Sequence, residues 1–99
     1  MLKVKLGRQY PRDVQRLRER GKDTSELAKL VGLLMQEAPL PPIYKDHPLK
    51  GDLHNYRDAH LPDANDDWVL IYRTSGQRLY LMRTGTHAEV FRGKKRRKT

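Results

Sequence analysis

The chain has no cysteine among its 99 residues, which excludes a disulfide framework and any thiolate metal site and leaves packing as the source of stability. No apolar run approaches the roughly 18 residues that a membrane helix requires, and Met1-Leu2-Lys3-Val4-Lys5-Leu6 lacks the apolar core of a signal peptide. These absences favour a soluble, cytoplasmic protein. Internal repeats are missing as well, so a solenoid is excluded. Hydrophobic residues amount to 36%, enough at this length for one core but not two, so one small domain with one surface site is expected.

Acidic residues are in the minority, 12 against 21 Lys and Arg, for a net charge of +9. Such an excess favours a polyanionic partner, because neutralising phosphates releases condensed counterions. Arg92, Lys94, Lys95, Arg96, Arg97 and Lys98 carry six of the nine excess charges and leave +3 for residues 1–91. A folded domain over 1–91 and a basic, mobile tail over 92–99 are expected, the tail having no core-forming residues.

Leu2, Val4 and Leu6 alternate with Lys3 and Lys5 as in a half-buried strand closed by Gly7. Tyr10, Val14 and Leu17 share one face of a helix over about Gln9–Arg20, with Pro11 in its first turn and Gly21 at its end. Arg8, Arg12 and Arg16 fall on the opposite face, a solvated surface or an RNA-binding stripe. A second helix starts at Asp23, where Asp23 and Glu26 resemble a capping box, and Leu27, Leu30, Val31, Leu34 and Met35 form its core stripe. Ala38-Pro39-Leu40-Pro41-Pro42 stops it as a rigid connection. Strands follow over Asn55–Leu61, Asp67–Arg73 and Arg78–Thr84, with Thr74-Ser75-Gly76-Gln77 as a hairpin turn and Val90 and Phe91 closing over the core. The order β-α-α-β-β-β makes an α+β domain with helices on one sheet face and polar residues on the other.

Those polar residues are concentrated in Lys45–His60, which holds three of the four histidines, His47, His54 and His60, beside Asp46, Asp52 and Asp58 and interleaved with Lys45, Lys50 and Arg57. His87 stands downstream, where the fold can return it to the others. A histidine pair supplies both acid and base near neutral pH, a carboxylate orients an imidazole or takes the proton itself, and Arg or Lys holds a phosphate. These are the parts for metal-free RNA cleavage by the ribose 2′-hydroxyl. His and Asp also ligate zinc or manganese, but there is no His-Glu-x-x-His and no zinc spacing. Ser25 and Ser75 lie in a cap and a turn, a weak basis for a serine nucleophile.

Tyr44-Lys45-Asp46-His47-Pro48-Leu49, Tyr56-Arg57-Asp58-Ala59-His60, Asp67-Trp68-Val69-Leu70-Ile71-Tyr72 and Arg83-Thr84-Gly85-Thr86-His87 resemble, in order, the motifs of the YafQ branch of RelE-superfamily toxins. The resemblance covers most of residues 8–91. It implies a RelE-like, microbial-RNase-type α+β fold with two N-terminal helices on one face of an antiparallel sheet. It further implies a bacterial endoribonuclease that cleaves translated mRNA in the ribosomal A site without metal or cofactor. A cognate antitoxin would hold it inactive, in a complex that can bind operator DNA.

Carried over by motif, the catalytic set is His47, His60, Asp67 and His87, with Asp58, Arg83 and Phe91 beside the substrate and His54 a bystander. His87 would be the general acid, Asp67 or His60 the base, and His47 and Arg83 the phosphate ligands. The link from His60 to Asp67 is longer than the family pattern, so Asp63 and Asp66 compete with Asp67 for the acidic position. The basic tail, Lys94, Lys95, Arg96, Arg97 and Lys98, would strengthen ribosome association. A gyrase-inhibiting ParE-like toxin of the same superfold and a non-catalytic RNA-binding protein remain the alternatives.

Overall fold

The alternating residues near the N-terminus form strand β1 (Lys3–Leu6) in the computed structural model, which describes residues 1–63 and 67–96, with side chains through Phe91. Helix α1 (Tyr10–Glu19) carries Pro11 in its first turn and buries Tyr10, Asp13 and Leu17. It ends as the sequence requires. Gly21 adopts φ +82°, and the Gly21 and Lys22 N–H groups return to the Arg18 and Leu17 carbonyls at 2.9 and 3.0 Å, a reversal that a Cβ would strain. Asp23 caps α2 (Thr24–Met35) by accepting from the Ser25 N–H at 3.0 Å and hydroxyl at 2.6 Å. Glu37 closes α2 in the left-handed region, at φ 56°, and the proline link passes into a 3-10 turn over Pro42–Tyr44.

Strands β2 (His47–Pro48), β3 (Arg57–His60), β4 (Val69–Ser75) and β5 (Arg78–Gly85) complete a five-stranded sheet in the order β1-β5-β4-β3-β2. β4 is the central strand, and its Val69, Leu70, Ile71 and Tyr72 are buried, in keeping with a run apolar on both faces. Two features differ from expectation. β2 is an added two-residue strand, and β1 joins β5 in parallel, so the sheet is antiparallel everywhere except at that edge.

The main core lies between the sheet and the two N-terminal helices: Leu17, Leu27, Leu30 and Leu34 meet Leu70, Tyr72, Leu79 and Leu81. Each such side chain contributes roughly 1.5–3 kcal/mol by leaving water. On the opposite face a smaller cluster joins Val69, Ile71 and Val90 to Leu49, Tyr56, Met82 and Phe91. Val90 and Phe91 arrive there on a third helix, α3 (His87–Arg96), which was not expected. Its start is a true capping box. The Glu89 N–H donates to Thr86 Oγ1 at 3.2 Å and the Thr86 N–H to Glu89 Oε1 at 3.0 Å.

The backbone stays helical through Arg96, so the change of composition after Phe91 is not a change of element there. Arg97 and Lys98 of the expected tail lie outside the described residues, as do the side chains of Lys94, Lys95 and Arg96. Among the described residues no helix is long and apolar enough to cross a membrane.

Candidate active site

Sheet register assembles the histidines. β2 sets His47 opposite Asp58, β3 sets His60 opposite Val69, and β4 sets Val69 opposite Gly85, two residues before His87. Ring centroids then lie 6.0 Å apart for His47 and His60 and 5.3 Å apart for His60 and His87, while Phe91 stacks 6.3 Å from His87. The three rings therefore form a row on the face away from α1 and α2. His54 does not join them: it is exposed just after a 3-10 turn over Gly51–Leu53, with its Nδ1 at 3.2 Å from the Gly51 carbonyl.

Asp58 lies beneath this row and is buried, its Oδ1 3.0 Å from His47 Nδ1 and 3.9 Å from His60 Nε2. The closer contact lacks hydrogen-bond alignment; His47 Nδ1 meets the Lys45 carbonyl instead, also at 3.0 Å. Two polar atoms, Asp58 Oδ1 and His60 Nδ1, are consequently buried without a hydrogen-bond partner, and such groups are rare unless a ligand completes them. Burial pushes the Asp58 carboxyl above the usual carboxylate range, against the pull of His47, His60 and His87. His47, Asp58 and His60 each offer one ligand atom within 4.8 Å of the others, a geometry open to a metal ion as well as to proton transfer.

Asp67 is hydrogen-bonded to His87. Its Oδ1 accepts the His87 backbone N–H at 3.0 Å and lies 2.5 Å from His87 Nδ1. This pair fixes the ring's orientation and gives Nδ1 the role of donor, so Nε2 is the nitrogen left for chemistry. The same two bonds hold the Asp67 carboxyl below its ordinary value, which makes it a weaker base. Of its sequence competitors, Asp63 is engaged with Lys22 and Asp66 lies outside the described residues.

The other candidate residues are committed elsewhere to different degrees. Arg57 Nε and Nη2 bind Asp46 at 3.2 and 3.0 Å, and the Tyr72 hydroxyl donates to Asp46 at 2.6 Å, so this clamp fixes the residue next to His47. Lys45 is exposed, with a left-handed backbone at φ 47°. Arg83 sits beside a register irregularity in β5 and points its Nε and Nη2 to Asp13 of α1, at 2.7 and 3.1 Å. Arg8 and Arg12 are exposed, but Arg16 lies 3.3 Å from Asp13 and 3.8 Å from Glu89.

Asp13, Tyr72 and Glu89 were not anticipated around the site, and Asp46 was expected only as an acid among the histidines, not as the partner of Arg57 and Tyr72. Glu89 accepts from Arg20 as well as from Thr86, and the Arg20 bond is the chief reason its carboxyl falls to about 2. Its signal was present as Thr86-x-x-Glu89, a capping pattern directly around His87. The partners of Asp13 and Tyr72 are 70 and 26 residues away in sequence, too far for local spacing to reveal.

Three histidines thus share one face of the sheet with two carboxylates whose pKa values are pushed in opposite directions, Asp58 up by burial and Asp67 down by its bonds to His87. Residues 2–92 match the family described as "bacterial toxin of type II toxin-antitoxin system, YafQ", and the chain belongs to that family. It is 44% identical over 89 residues to the mRNA interferase toxin YafQ of Escherichia coli K12, covering 89% of this chain and 94% of the relative. The crystal structure of the E. coli DinJ–YafQ toxin–antitoxin complex superposes at a TM-score of 0.80 with 43% identity, over 91% of this chain and 97% of that one. A metal-bound toxin from Helicobacter pylori superposes at 0.83 with 40% identity, over 92% and 100% of the two chains.

Proposed function

We propose that this chain is a ribosome-dependent mRNA interferase, cutting translated message in the A site by metal-independent acid–base catalysis and neutralised by a cognate antitoxin. The observation that carries the reading is the row of His47, His60 and His87 with buried polar atoms left open for a substrate. His60 removes the proton of the ribose 2′-hydroxyl, whose oxygen attacks the adjacent phosphorus. The bond to the 5′-oxygen breaks, and His87 Nε2 protonates that leaving oxygen, giving a 2′,3′-cyclic phosphate and a 5′-hydroxyl. Asp67 is the positioning residue for His87; its two bonds to that residue and its lowered pKa make His60 the better base.

His47 holds the phosphate, with Lys45 as cationic charge two residues away, while Arg83, expected as a phosphate ligand, is committed to Asp13 on the helix side; Asp58 lies between His47 and His60. Phe91 packs beside His87, where the nucleotide following the cut would lie. The E. coli relative's complex with DinJ supports an antitoxin partner here, and a basic toxin suits an acidic antitoxin segment. Operator DNA would be bound only by that larger complex. Cytoplasmic action follows from the ribosomal substrate.

A metal reading has one observation in its favour, the His47, Asp58 and His60 donor set, to which the metal-bound H. pylori toxin adds a precedent of fold. A cation there would occupy the imidazole lone pairs that proton transfer needs, so zinc is expected to inhibit, and a zinc-selective chelator, with magnesium kept for the ribosome, to leave cleavage unchanged. Loss in that chelator with recovery in zinc would reverse the assignment. The deciding experiment maps cleavage of a translated message in a cell-free extract at nucleotide resolution. Cuts confined to ribosome-occupied codons support the proposal. An intact message with blocked gyrase supercoiling would favour the ParE-like alternative, and an intact message bound by the protein would favour a non-catalytic RNA binder.

A further inference from the structure

Strands β1, β4 and β5 contain no Asp or Glu but five cations, Lys3, Lys5, Arg73, Arg78 and Arg83. Four of these gather on the histidine face. Leu79 and Leu81 of β5 point into the helix-side core and Met82 into the opposite cluster, so by alternation Arg78 and Tyr80 lie on the histidine face. Register sets Lys3 and Lys5 of β1 beside them and Arg73 of β4 across from Tyr80. Tyr56, in the same cluster, precedes Asp58 by two residues, or about 7 Å of extended chain.

Arg73 lies 4.1 Å from the Tyr80 ring centroid and 5.7 Å from that of Tyr56. Tyr56 and Tyr80 also line a cleft of about 380 Å³ with Lys5, Gly7, Arg78 and Met82. A ladder serving the sheet alone needs Arg73 and its two rings, but it does not need three further exposed cations and an acid-free surface. On the helix side and at the start of α3, by contrast, Arg16, Arg20 and Arg83 are each matched by an acid, Glu89 or Asp13. Unmatched cations interleaved with aromatic faces suit a single-stranded nucleic acid, with phosphates on the cations and bases on the rings.

We propose that this cleft is a second RNA subsite, in which Lys5 and Arg78 bind phosphates and Tyr56 and Tyr80 stack bases of the strand flanking the scissile phosphate. The inference rests on the ribonuclease reading. It predicts substrate length dependence and a source of sequence-tolerant affinity away from the catalytic histidines.

The test measures binding of the full chain to a fluorescent 2′-O-methyl RNA of about twelve nucleotides, which cannot be cut, at several salt concentrations. Lys5→Gln with Arg78→Gln should weaken binding at least tenfold at low salt and flatten the salt slope by about 1.4, two phosphates at roughly 0.7 each. Tyr80→Leu should weaken binding by roughly five- to 150-fold with the slope unchanged, and Tyr80→Phe, which keeps the ring, should bind like the parent. Parent-like affinity and slope in the double variant would overturn the subsite. So would equal losses in Tyr80→Phe and Tyr80→Leu, or a double variant that loses only antitoxin affinity. Failure of the ribonuclease reading looks different: the parent would bind the oligomer through these residues yet leave translated mRNA intact.

Discussion

The two faces of the sheet treat buried polar atoms in opposite ways. Under the helices, Asp13 is fully buried yet accepts from Arg83 at 2.7 and 3.1 Å and from the Thr84 N–H at 3.1 Å. Thr84 in turn accepts from Trp68 and donates to the Val69 carbonyl, both at 2.9 Å. On the other face Asp58 Oδ1 and His60 Nδ1 are buried with no partner. A buried polar group without a partner costs roughly 1–3 kcal/mol. The closed face supplies stability, and the open one, in the proposed function, keeps polar capacity in reserve for a substrate.

That contrast can be broken by exchanging the effects of single substitutions. His87→Ala should lower cleavage by about 10²- to 10⁴-fold, the usual share of a general acid, with thermal melting nearly unchanged; a kinetic assay on translated message checks it. Asp13→Ala should do the reverse. It leaves Arg83 beside a vacated buried position and should cost about 3–5 kcal/mol in urea unfolding, while Leu30→Ala should cost about 2–5 kcal/mol by opening a cavity. Cleavage per folded molecule should hardly change in Leu30→Ala, and a large fall would mean that the two faces are coupled.

Smaller effects sharpen the boundary between the faces, where Glu89 joins α1 to the start of α3. Glu89→Gln keeps an acceptor for the Thr86 N–H but loses the ion pair with half-exposed Arg20, so about 0.5–1 kcal/mol is expected at pH 7. The sign follows from its depressed carboxyl, about 2 against an ordinary 4.5. The ionised side chain stabilises the fold fully above about pH 4.5, and that contribution disappears as pH falls toward 2, so melting curves of parent and variant should converge over that window. Smallest is Glu37→Gly at the exposed end of α2, where φ 56° favours glycine. A gain of about 0.5 kcal/mol in unfolding is expected, with unchanged cleavage.

Much of this division was legible in the sequence. The stripe from Leu27 to Met35 and the apolar run from Val69 to Tyr72 have strong periodicity, and they became the second helix and the central strand. Tyr56, Asp58 and His60 were expected on one side of a strand, and the sheet register agrees. What escaped has no periodic signature. β2 is two residues long, the parallel pairing of β1 with β5 joins distant segments, and Asp13 has its partner Arg83 70 residues away. The third helix was hidden because a run of cations outweighed the Thr86-x-x-Glu89 cap. Lys3, Lys5 and Arg78 carry no local signal either, because their significance depends on strands that meet only in the folded sheet.

On the proposed function, the open face cuts RNA with its own histidines through the ribose 2′-hydroxyl. The most direct measurement places one 2′-deoxynucleotide at the mapped cleavage site of a translated message and assays it beside the all-ribose message, both with magnesium kept for the ribosome and zinc chelated. The predicted result is a cut with a 2′,3′-cyclic phosphate end in the ribose message and none at that position in the deoxy one. Equal cleavage of both, or cleavage of neither until zinc is restored, would contradict it.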